Sequence, residues 1–192
     1  AVPVFQRHYV WTEKNQLAPL WDDVLDNLDE ALESKPKRYP HYMGALIFTL
    51  GVATIGRVPV KQVIDGQQRL TTFQILLYAI AEIARQRDWE QTRATALSYV
   101  TNDRESLMQD PATERHKLLP TAYDRTVYFD IATGSESSLA NKYSSFYWGG
   151  KLVQNRSPKL LLAYFFFIGK LKELLLRSDL ENVGQEQRPD HG

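Results

Sequence analysis

Apolar side chains recur at helical spacing near the start of the chain. They are Leu17, Leu20, Trp21, Val24, Leu25, Leu28 and Leu32. Acidic side chains occupy much of the opposite side, and this arrangement is typical of an amphipathic helix with a solvated face rather than of a metal cluster. The Lys35-Pro36-Lys37 segment predicts the end of this helix, because proline does not continue helical hydrogen bonding.

Two short apolar runs follow, at residues 42–50 and 57–64. Their length and their isoleucine, valine and phenylalanine content favour buried strands, with Pro59 at the start or on the edge of the second. The second run leads into another predicted helix, whose apolar positions are Leu70, Phe73, Leu76, Leu77, Ile80, Ile83 and Ala84. Arg69 and Thr72 lie outside that stripe, and we expect their side of the helix to be accessible.

From residue 89 onward the pattern is mostly helical. Helices are predicted over residues 89–99, 121–131 and 158–176, a loop over 134–138, and a linker or tail over 178–192. The apolar segment around Phe165, Phe166 and Phe167 is too short between its flanking lysines to span a bilayer, so it is predicted to be buried. Strands followed by helices indicate an α+β fold.

Composition narrows the function classes. The 192 residues are 43% apolar, enough for a core, and contain no cysteine, which excludes disulfides and favours a cytoplasmic setting. The 23 basic and 23 acidic side chains cancel, which counts against a surface devoted to duplex DNA. Arg85, Arg87 and Arg93 cluster near one helix end, where a solvated face is favoured over a nucleic-acid contact. The four histidines lack the spacing of a helical zinc pair, and surface or structural roles are expected.

The junction between the second strand and its helix carries the candidate chemistry. A helix start presents unpaired N–H groups and the positive end of the dipole, which together favour an anion. Gly66 permits a tight turn, Arg69 adds a planar cation suited to phosphate, and Asp65 offers a hard oxygen for magnesium or water. Asp65 and Gln68 could instead form a capping box, but the additional polar residues Gln67 and Arg69 favour a ligand. A Walker A loop is excluded by the glycine count and spacing.

The same residues resemble a known family. The run Asp65-Gly66-Gln67-Gln68-Arg69 resembles the signature of the DGQQR family, the N-terminal domain of GmrSD-type restriction proteins. The opening run Gln6-Arg7-His8-Tyr9-Val10-Trp11 resembles the family's Gln-Arg-x-Tyr-x-Trp start. The run Tyr42-Met43-Gly44 resembles its glycine-containing strand, and Lys117-Leu118-Leu119-Pro120-Thr121 with Asp124 resembles a weaker element.

This resemblance implies an NTP-binding and hydrolysing domain with a ParB/sulfiredoxin-like mixed sheet. Residues 1–88 would form the nucleotide-binding core, residues 89–177 a helical subdomain, and residues 178–192 a linker or tail. Carried over to this chain, the nucleotide-binding residues would be Gln6, Arg7, Gly66, Gln67, Gln68 and Arg69. From its own position in the predicted helix, the Thr72 hydroxyl is a further candidate to bind phosphate, although helix hydroxyls more often bond to backbone or solvent. The catalytic residues would be Asp65, Gln68 and Arg69, with Asp65 binding Mg²⁺ and Gln68 positioning the water.

The resemblance also implies partners. DNA would be contacted through a C-terminal nuclease domain, in defence against foreign DNA, and a homodimer is a further option. The chain lacks the family's Phe-x-x-Leu-Asn-x-x-Gly element and any His-Asn-His type motif, so we expect it to be part of a longer protein. No membrane partner is expected.

Several alternatives remain open at this point. The turn could bind nucleotide as a regulatory switch without hydrolysis, it could be a nuclease site in its own right, or the chain could be a DNA-binding or protein-docking module. The alternating aromatic residues Phe5, Tyr9 and Trp11 favour core packing, with a stacking wall for a nucleobase as the functional alternative.

Overall fold

The computed structural model describes residues 7–33, 42–49, 51 and 57–186. A π-helical turn, Glu13–Leu17, leads into the first helix, α1 (Ala18–Leu32). The other α-helices are α2 (Gln67–Gln86), α3 (Glu90–Val100), α4 (Pro111–Glu114), α5 (Arg125–Thr133), α6 (Glu136–Lys142) and α7 (Lys159–Glu186). Short 3₁₀ turns cover Glu105–Leu107 and Ser144–Phe146. Among the described helices, none combines the length and hydrophobicity that crossing a membrane requires.

The strands are short and pair as two hairpins. Strand β1 (Ile47–Thr49) pairs antiparallel with β2 (Gln62–Asp65), with a register shift between Ile47 and Phe48. Strand β3 (Tyr147–Trp148) pairs antiparallel with β4 (Lys151–Leu152). The prediction that the first two strands are buried is wrong for most of their residues, because all of β1 is exposed and only Val63 of β2 is buried. Helices with small antiparallel sheets nevertheless confirm the α+β class.

Helix α2 is the central element of the fold. It packs most extensively against α3 and α7, so side chains on several of its sides are buried. Leu76, Ile83 and Ala84 of the predicted apolar stripe are buried, but Ile75 and Ala79, which lie outside that stripe, are fully buried. Thr71 and Thr72 are buried as well. A helix enclosed by neighbours on several sides has no single solvated face, and the prediction of an accessible side at Thr72 is therefore wrong.

One hydrophobic core joins the two predicted segments. Leu17 and Trp21 of α1 lie in the same cluster as Tyr128 of α5, Leu139 of α6 and Phe167 of α7. The predicted boundary at residue 88 falls in the tight turn between α2 and α3. The division into a core and a helical subdomain stays a prediction. Residues from both segments pack in the same hydrophobic core.

Element boundaries differ from the predictions at several places. Helix α5 begins at Arg125 rather than at residue 121, and strands β1 and β2 begin at Ile47 and Gln62 rather than at residues 42 and 57. The predicted loop over 134–138 contains the start of α6, because the Ser135 hydroxyl accepts from the N–H of Ser138 and completes a capping box. The predicted tail from residue 178 is helical through Glu186, because α7 continues. Helix α1 ends at Leu32, before the Lys35-Pro36-Lys37 segment that was predicted to end it, and that segment lies outside the described residues.

Candidate functional site

The strand-to-helix junction forms as predicted. Strand β2 ends at Asp65, Gly66 adopts a left-handed conformation with φ of 88°, and α2 begins at Gln67. A side chain at position 66 would overlap the side chain of Leu46 and lie 3.3 Å from the carbonyl oxygen of Ala45. Glycine is therefore required here for both its backbone conformation and its lack of a β-carbon.

No side chain among the described residues caps this helix. The first helical hydrogen bond runs from the N–H of Leu70 to the carbonyl oxygen of Gly66, at 3.0 Å. The amides of Gln67, Gln68 and Arg69 precede that bond and point along the helix axis toward the turn. The capping-box alternative is wrong, because Gly66 rather than Asp65 is the N-cap residue and the Gln68 side chain bonds elsewhere.

The Gln68 side chain holds the opening segment of the chain. Its Oε1 accepts from the backbone N–H of Val10 at 2.9 Å, and its Nε2 donates to the carbonyl oxygen of His8 at 3.2 Å. The oxygen and the NH₂ group of this one side chain thus both hydrogen-bond to the backbone of the opening segment, as a neighbouring strand would. Positioning a water with this amide would require one of these two bonds to open.

Tyr9 and Asp124 complete the attachment of the opening segment. The Tyr9 hydroxyl lies 2.7 Å from the Thr72 hydroxyl, which also donates to the carbonyl oxygen of Gln68 at 2.8 Å. The backbone N–H of Tyr9 donates to Oδ2 of Asp124 at 2.8 Å, and the Thr121 hydroxyl donates to the same oxygen at 2.8 Å. Burial raises the pKa of the Tyr9 hydroxyl far above its usual range, so this hydroxyl stays neutral.

Arg69 lies against the backbone of residues 44 and 45. Its Nη1 donates to the carbonyl oxygen of Ala45 at 2.9 Å. Gly44 has φ of 86°, and a β-carbon there would lie 2.6 Å from the Arg69 guanidinium carbon. The guanidinium has five N–H donors, and this bond uses one of them. Among the described residues, no carboxylate forms an ion pair with Arg69.

The remaining predicted site residues are distributed around the junction. Asp65 is exposed at the end of β2. The Gln67 Nε2 lies 3.5 Å from the carbonyl oxygen of Arg7, while its Oε1 is buried without a partner among the described residues. Thr72 is fully buried, so its hydroxyl serves the interior contacts with Tyr9 and Gln68. Gln6 lies outside the described residues.

A cavity of about 230 Å³ opens beside Arg69. It lies between α1, the start of α2 and the segment before β1. Its aromatic lining comes from Trp11, Tyr42 and Phe73, and its charged lining from Asp23 and Arg69. Asp23 and Phe73 were not predicted as site residues, because each lies within the pattern of an ordinary amphipathic helix.

The geometry brings all four family-like segments together at the start of α2. The opening segment bonds Gln68 and Thr72, the segment at Gly44 bonds Arg69, and Asp124 bonds the opening segment. A family model described as "GmrSD restriction endonuclease, N-terminal domain" matches residues 1–179. The chain belongs to this family. Neither a curated protein nor a solved structure matched the chain.

Membership of the GmrSD N-terminal domain family makes this a restriction-type protein domain. The resemblance stated from four short segments is confirmed and extends over most of the chain. The arginines at the end of α2 and the start of α3 are exposed and pair with acidic side chains: Arg85 pairs with the buried Glu82, Arg87 with the exposed Asp179 and Arg93 with the exposed Glu90. These pairs agree with the predicted solvated face.

The described histidines have structural or surface positions in this GmrSD N-terminal domain. His116 is buried, with its Nδ1 3.2 Å from the Tyr78 hydroxyl and its ring stacked on Phe129. Burial, with a smaller effect of Arg115, lowers the pKa of His116, so its ring is neutral near neutral pH. His8 is exposed and its ring lies beside Tyr123. Among the described residues, no group of three or more metal-binding side chains occurs.

Proposed function

We propose that this GmrSD N-terminal domain binds a nucleoside triphosphate at the start of α2 and hydrolyses it, as part of a restriction protein that acts on DNA. The observation that carries the proposal is the uncapped turn at Gly66 with the Arg69 guanidinium beside it. The turn offers three backbone amides, and the guanidinium offers the N–H groups that Ala45 leaves unused. Polyphosphate is a ligand whose charge and acceptor oxygens fit both.

The surroundings of Arg69 support this role. Its contact with the left-handed Gly44 fixes the guanidinium plane without neutralising its charge, because the partner is a carbonyl oxygen. A positioned, unneutralised guanidinium can stabilise the negative charge that develops on the transferred phosphoryl group. A guanidinium paired with a buried carboxylate would lack this capacity.

Asp65 fits a magnesium ion carried by the nucleotide. Mg²⁺ in nucleotide sites commonly takes one or two carboxylates and completes its octahedron with phosphate oxygens and water. Asp65 supplies one exposed carboxylate directly before the turn. When bound, the ion would neutralise negative charge on the phosphates.

In the proposed reaction a water oxygen attacks the terminal phosphorus and the bond to the bridging oxygen breaks, which releases phosphate and a nucleoside diphosphate. The proton that the water loses passes to the released phosphate or to solvent. Arg69 and the amides of α2 stabilise the charge on the oxygens. Gln68 and Thr72 contribute indirectly, because their described hydrogen bonds hold the opening segment against the helix start. A glutamine side chain cannot act as a general base for the attacking water. We therefore expect slow turnover that DNA or a further domain accelerates.

The test is phosphate release by Arg69→Ala in the presence of GTP or ATP and Mg²⁺. We expect at least about 100-fold lower turnover, because the variant removes a charge that stabilises the transition state. Arg93→Ala is the matched control, since Arg93 is exposed and pairs only with Glu90 among the described residues. Wild-type turnover in Arg69→Ala, with an unchanged melting temperature, would rule out the assignment.

A second candidate function is nucleotide sensing without hydrolysis. The engagement of both ends of the Gln68 amide favours it, because the predicted water-positioning group is already bonded to the chain. In that case GTP or ATP would raise the melting temperature while no phosphate is released. Nuclease action by the isolated domain would instead appear as plasmid cleavage without nucleotide. DNA contact through a further domain, a homodimer and a cytoplasmic location remain predictions.

A further inference from the structure

We infer that the cavity beside Arg69 receives the base of the bound nucleotide and prefers guanine. This inference rests on the function proposed above, because it assumes that the phosphates lie on the turn at Gly66. It adds the identity of the base and the residues that select it.

The cavity walls are suited to a flat ring. Trp11, Tyr42 and Phe73 line it, and they come from three separate segments of the chain. Tyr42 is 80% exposed and the adjoining Met43 is 48% exposed, so their apolar surfaces are available for contact. Aromatic side chains stack on nucleobases, and such stacking tolerates a partly open site.

The position of the cavity along α2 matches the length of a nucleotide. Phe73 is four residues beyond Arg69, so the two side chains lie on the same side of the helix. Gly66 and Phe73 are seven residues apart, or about 10 Å along the helix axis. A nucleotide with its phosphates on the turn can therefore extend along α2 and place its base over Phe73.

Charge sets the orientation of the ligand. Arg69 and Asp23 are the charged side chains that line the cavity. Phosphates are attracted to Arg69 and repelled by the Asp23 carboxylate. The end of the ligand that meets Asp23 must therefore carry hydrogen-bond donors rather than negative charge.

The donors and acceptors in the cavity favour guanine. A carboxylate such as Asp23 only accepts hydrogen bonds, and guanine presents two adjacent donors, its ring N1–H and its amino group. Gln16 uses Oε1 to accept from the backbone N–H of Thr12 at 3.0 Å, which leaves its NH₂ group as a donor for the guanine carbonyl oxygen. Adenine has one donor group on that edge and no carbonyl oxygen.

The experiment is isothermal titration of the chain with GTP, ATP and inorganic tripolyphosphate in Mg²⁺. Tripolyphosphate reports the phosphate site alone. Tyr42→Ala and Asp23→Asn test the base site, while the exposed positions Tyr99→Ala and Asp22→Asn serve as matched controls outside the cavity. Arg69→Ala should weaken the binding of all three ligands.

We expect wild-type protein to bind GTP more tightly than ATP or tripolyphosphate. Tyr42→Ala should weaken GTP binding about tenfold and leave tripolyphosphate binding unchanged, because only stacking is lost. Asp23→Asn should reduce the preference for GTP over ATP, and both controls should match wild type.

Four other results would overturn the inference. Equal binding of GTP and tripolyphosphate, or wild-type GTP affinity in both cavity variants, would discard the base site and leave the proposed phosphate site standing. ATP binding as tight as GTP binding would discard the guanine preference. If the wild-type protein bound none of the three ligands, both the proposed function and this inference would be discarded.

Discussion

Gly44 shows how a residue without a side chain determines the position of a functional one. Its left-handed backbone allows the guanidinium of Arg69 to lie directly against it, and a β-carbon would occupy that space. The chain offers a close comparison in Gly150, which has φ of 78° and no atom within 4 Å of the place where a β-carbon would be. Substitutions at these two glycines can therefore distinguish the effect of backbone strain from the effect of contact with Arg69.

We expect Gly44→Ala to weaken nucleotide binding and Gly150→Ala to leave it unchanged. Both variants should lose about 1–2 kcal/mol of stability, because alanine is strained in the left-handed region. Only Gly44→Ala also displaces the guanidinium. Thermal melts and GTP titration measure the two effects separately. Equal nucleotide affinity in both variants would show that the position of Arg69 is unimportant for binding.

The Tyr9 and Thr72 pair makes a second prediction at the residue scale. Thr72→Val should destabilise the fold by about 1–3 kcal/mol, because the buried Tyr9 hydroxyl loses its partner. Tyr9→Phe combined with Thr72→Val should cost less than the sum of the single changes, since the two hydroxyls serve each other. Denaturant melts of the four proteins measure this coupling.

Ligand titration distinguishes this structural role of Thr72 from the predicted role in nucleotide binding. Thr72→Val that still folds should bind GTP with wild-type affinity, because the hydroxyl is fully buried and the two Gln68 hydrogen bonds still hold the opening segment. A large loss of affinity without loss of stability would restore Thr72 to the binding site.

Among the elements, α2 connects the candidate site with the rest of the core. Its first turn holds the opening segment, and its last turns bond α6 through Glu82. The buried Glu82 carboxylate accepts from Arg85 at 2.7 and 2.9 Å, from the Gln86 side chain at 2.9 Å and from the backbone N–H of Glu136 at 3.0 Å. Burial opposes ionisation of Glu82, but these bonds outweigh it and hold its pKa below the usual range.

We expect Glu82→Gln to destabilise the protein by about 2 kcal/mol, because a buried, multiply bonded carboxylate is replaced by a neutral group with fewer acceptor sites. Glu90→Gln is the matched control. Glu90 also pairs with an arginine three residues later, but its side chain is 71% exposed, so the change should cost less than about 0.5 kcal/mol. Urea melts measure both, and equal costs would contradict the role of burial.

At the scale of the whole molecule, buried tyrosines link stability to alkaline pH. Burial raises the pKa of Tyr78 to about 12 and raises the pKa values of Tyr9, Tyr128 and Tyr164 above their usual range. A folded-state pKa above the unfolded value of about 10 means that the fold favours the neutral phenol. This contribution is complete below pH 10 and is lost as the pH rises through the folded values.

The melting temperature should therefore fall steeply between about pH 10 and pH 12. Circular-dichroism melts across this range measure the effect. Absorbance at the phenolate band should show most buried tyrosines ionising together with unfolding. A melting temperature that is constant to pH 12 would mean that these hydroxyls are solvated in the folded protein.

Sequence patterns predicted the parts of this molecule that depend on local interactions. The limits of α3 to within one residue, the Gly66 turn that precedes α2 and the family signature all follow from residues close together in the chain. The errors came from long-range packing. The stripe on α2 did not predict that Thr72 is buried, because the opening segment that covers it is 63 positions away.

By itself the sequence determined a glycine turn between strand and helix, an arginine in the first helical turn and membership of the GmrSD N-terminal domain family. These features need only the conformational freedom of one residue and the spacing of its neighbours. Only the tertiary structure decided that Gln68 hydrogen-bonds to the backbone of residues 8 and 10, that Arg69 lies against Gly44, and that Asp23 lines the same cavity as Arg69. Hydrogen bonds and burial between distant segments depend on how the helices pack, and no local pattern contains that information.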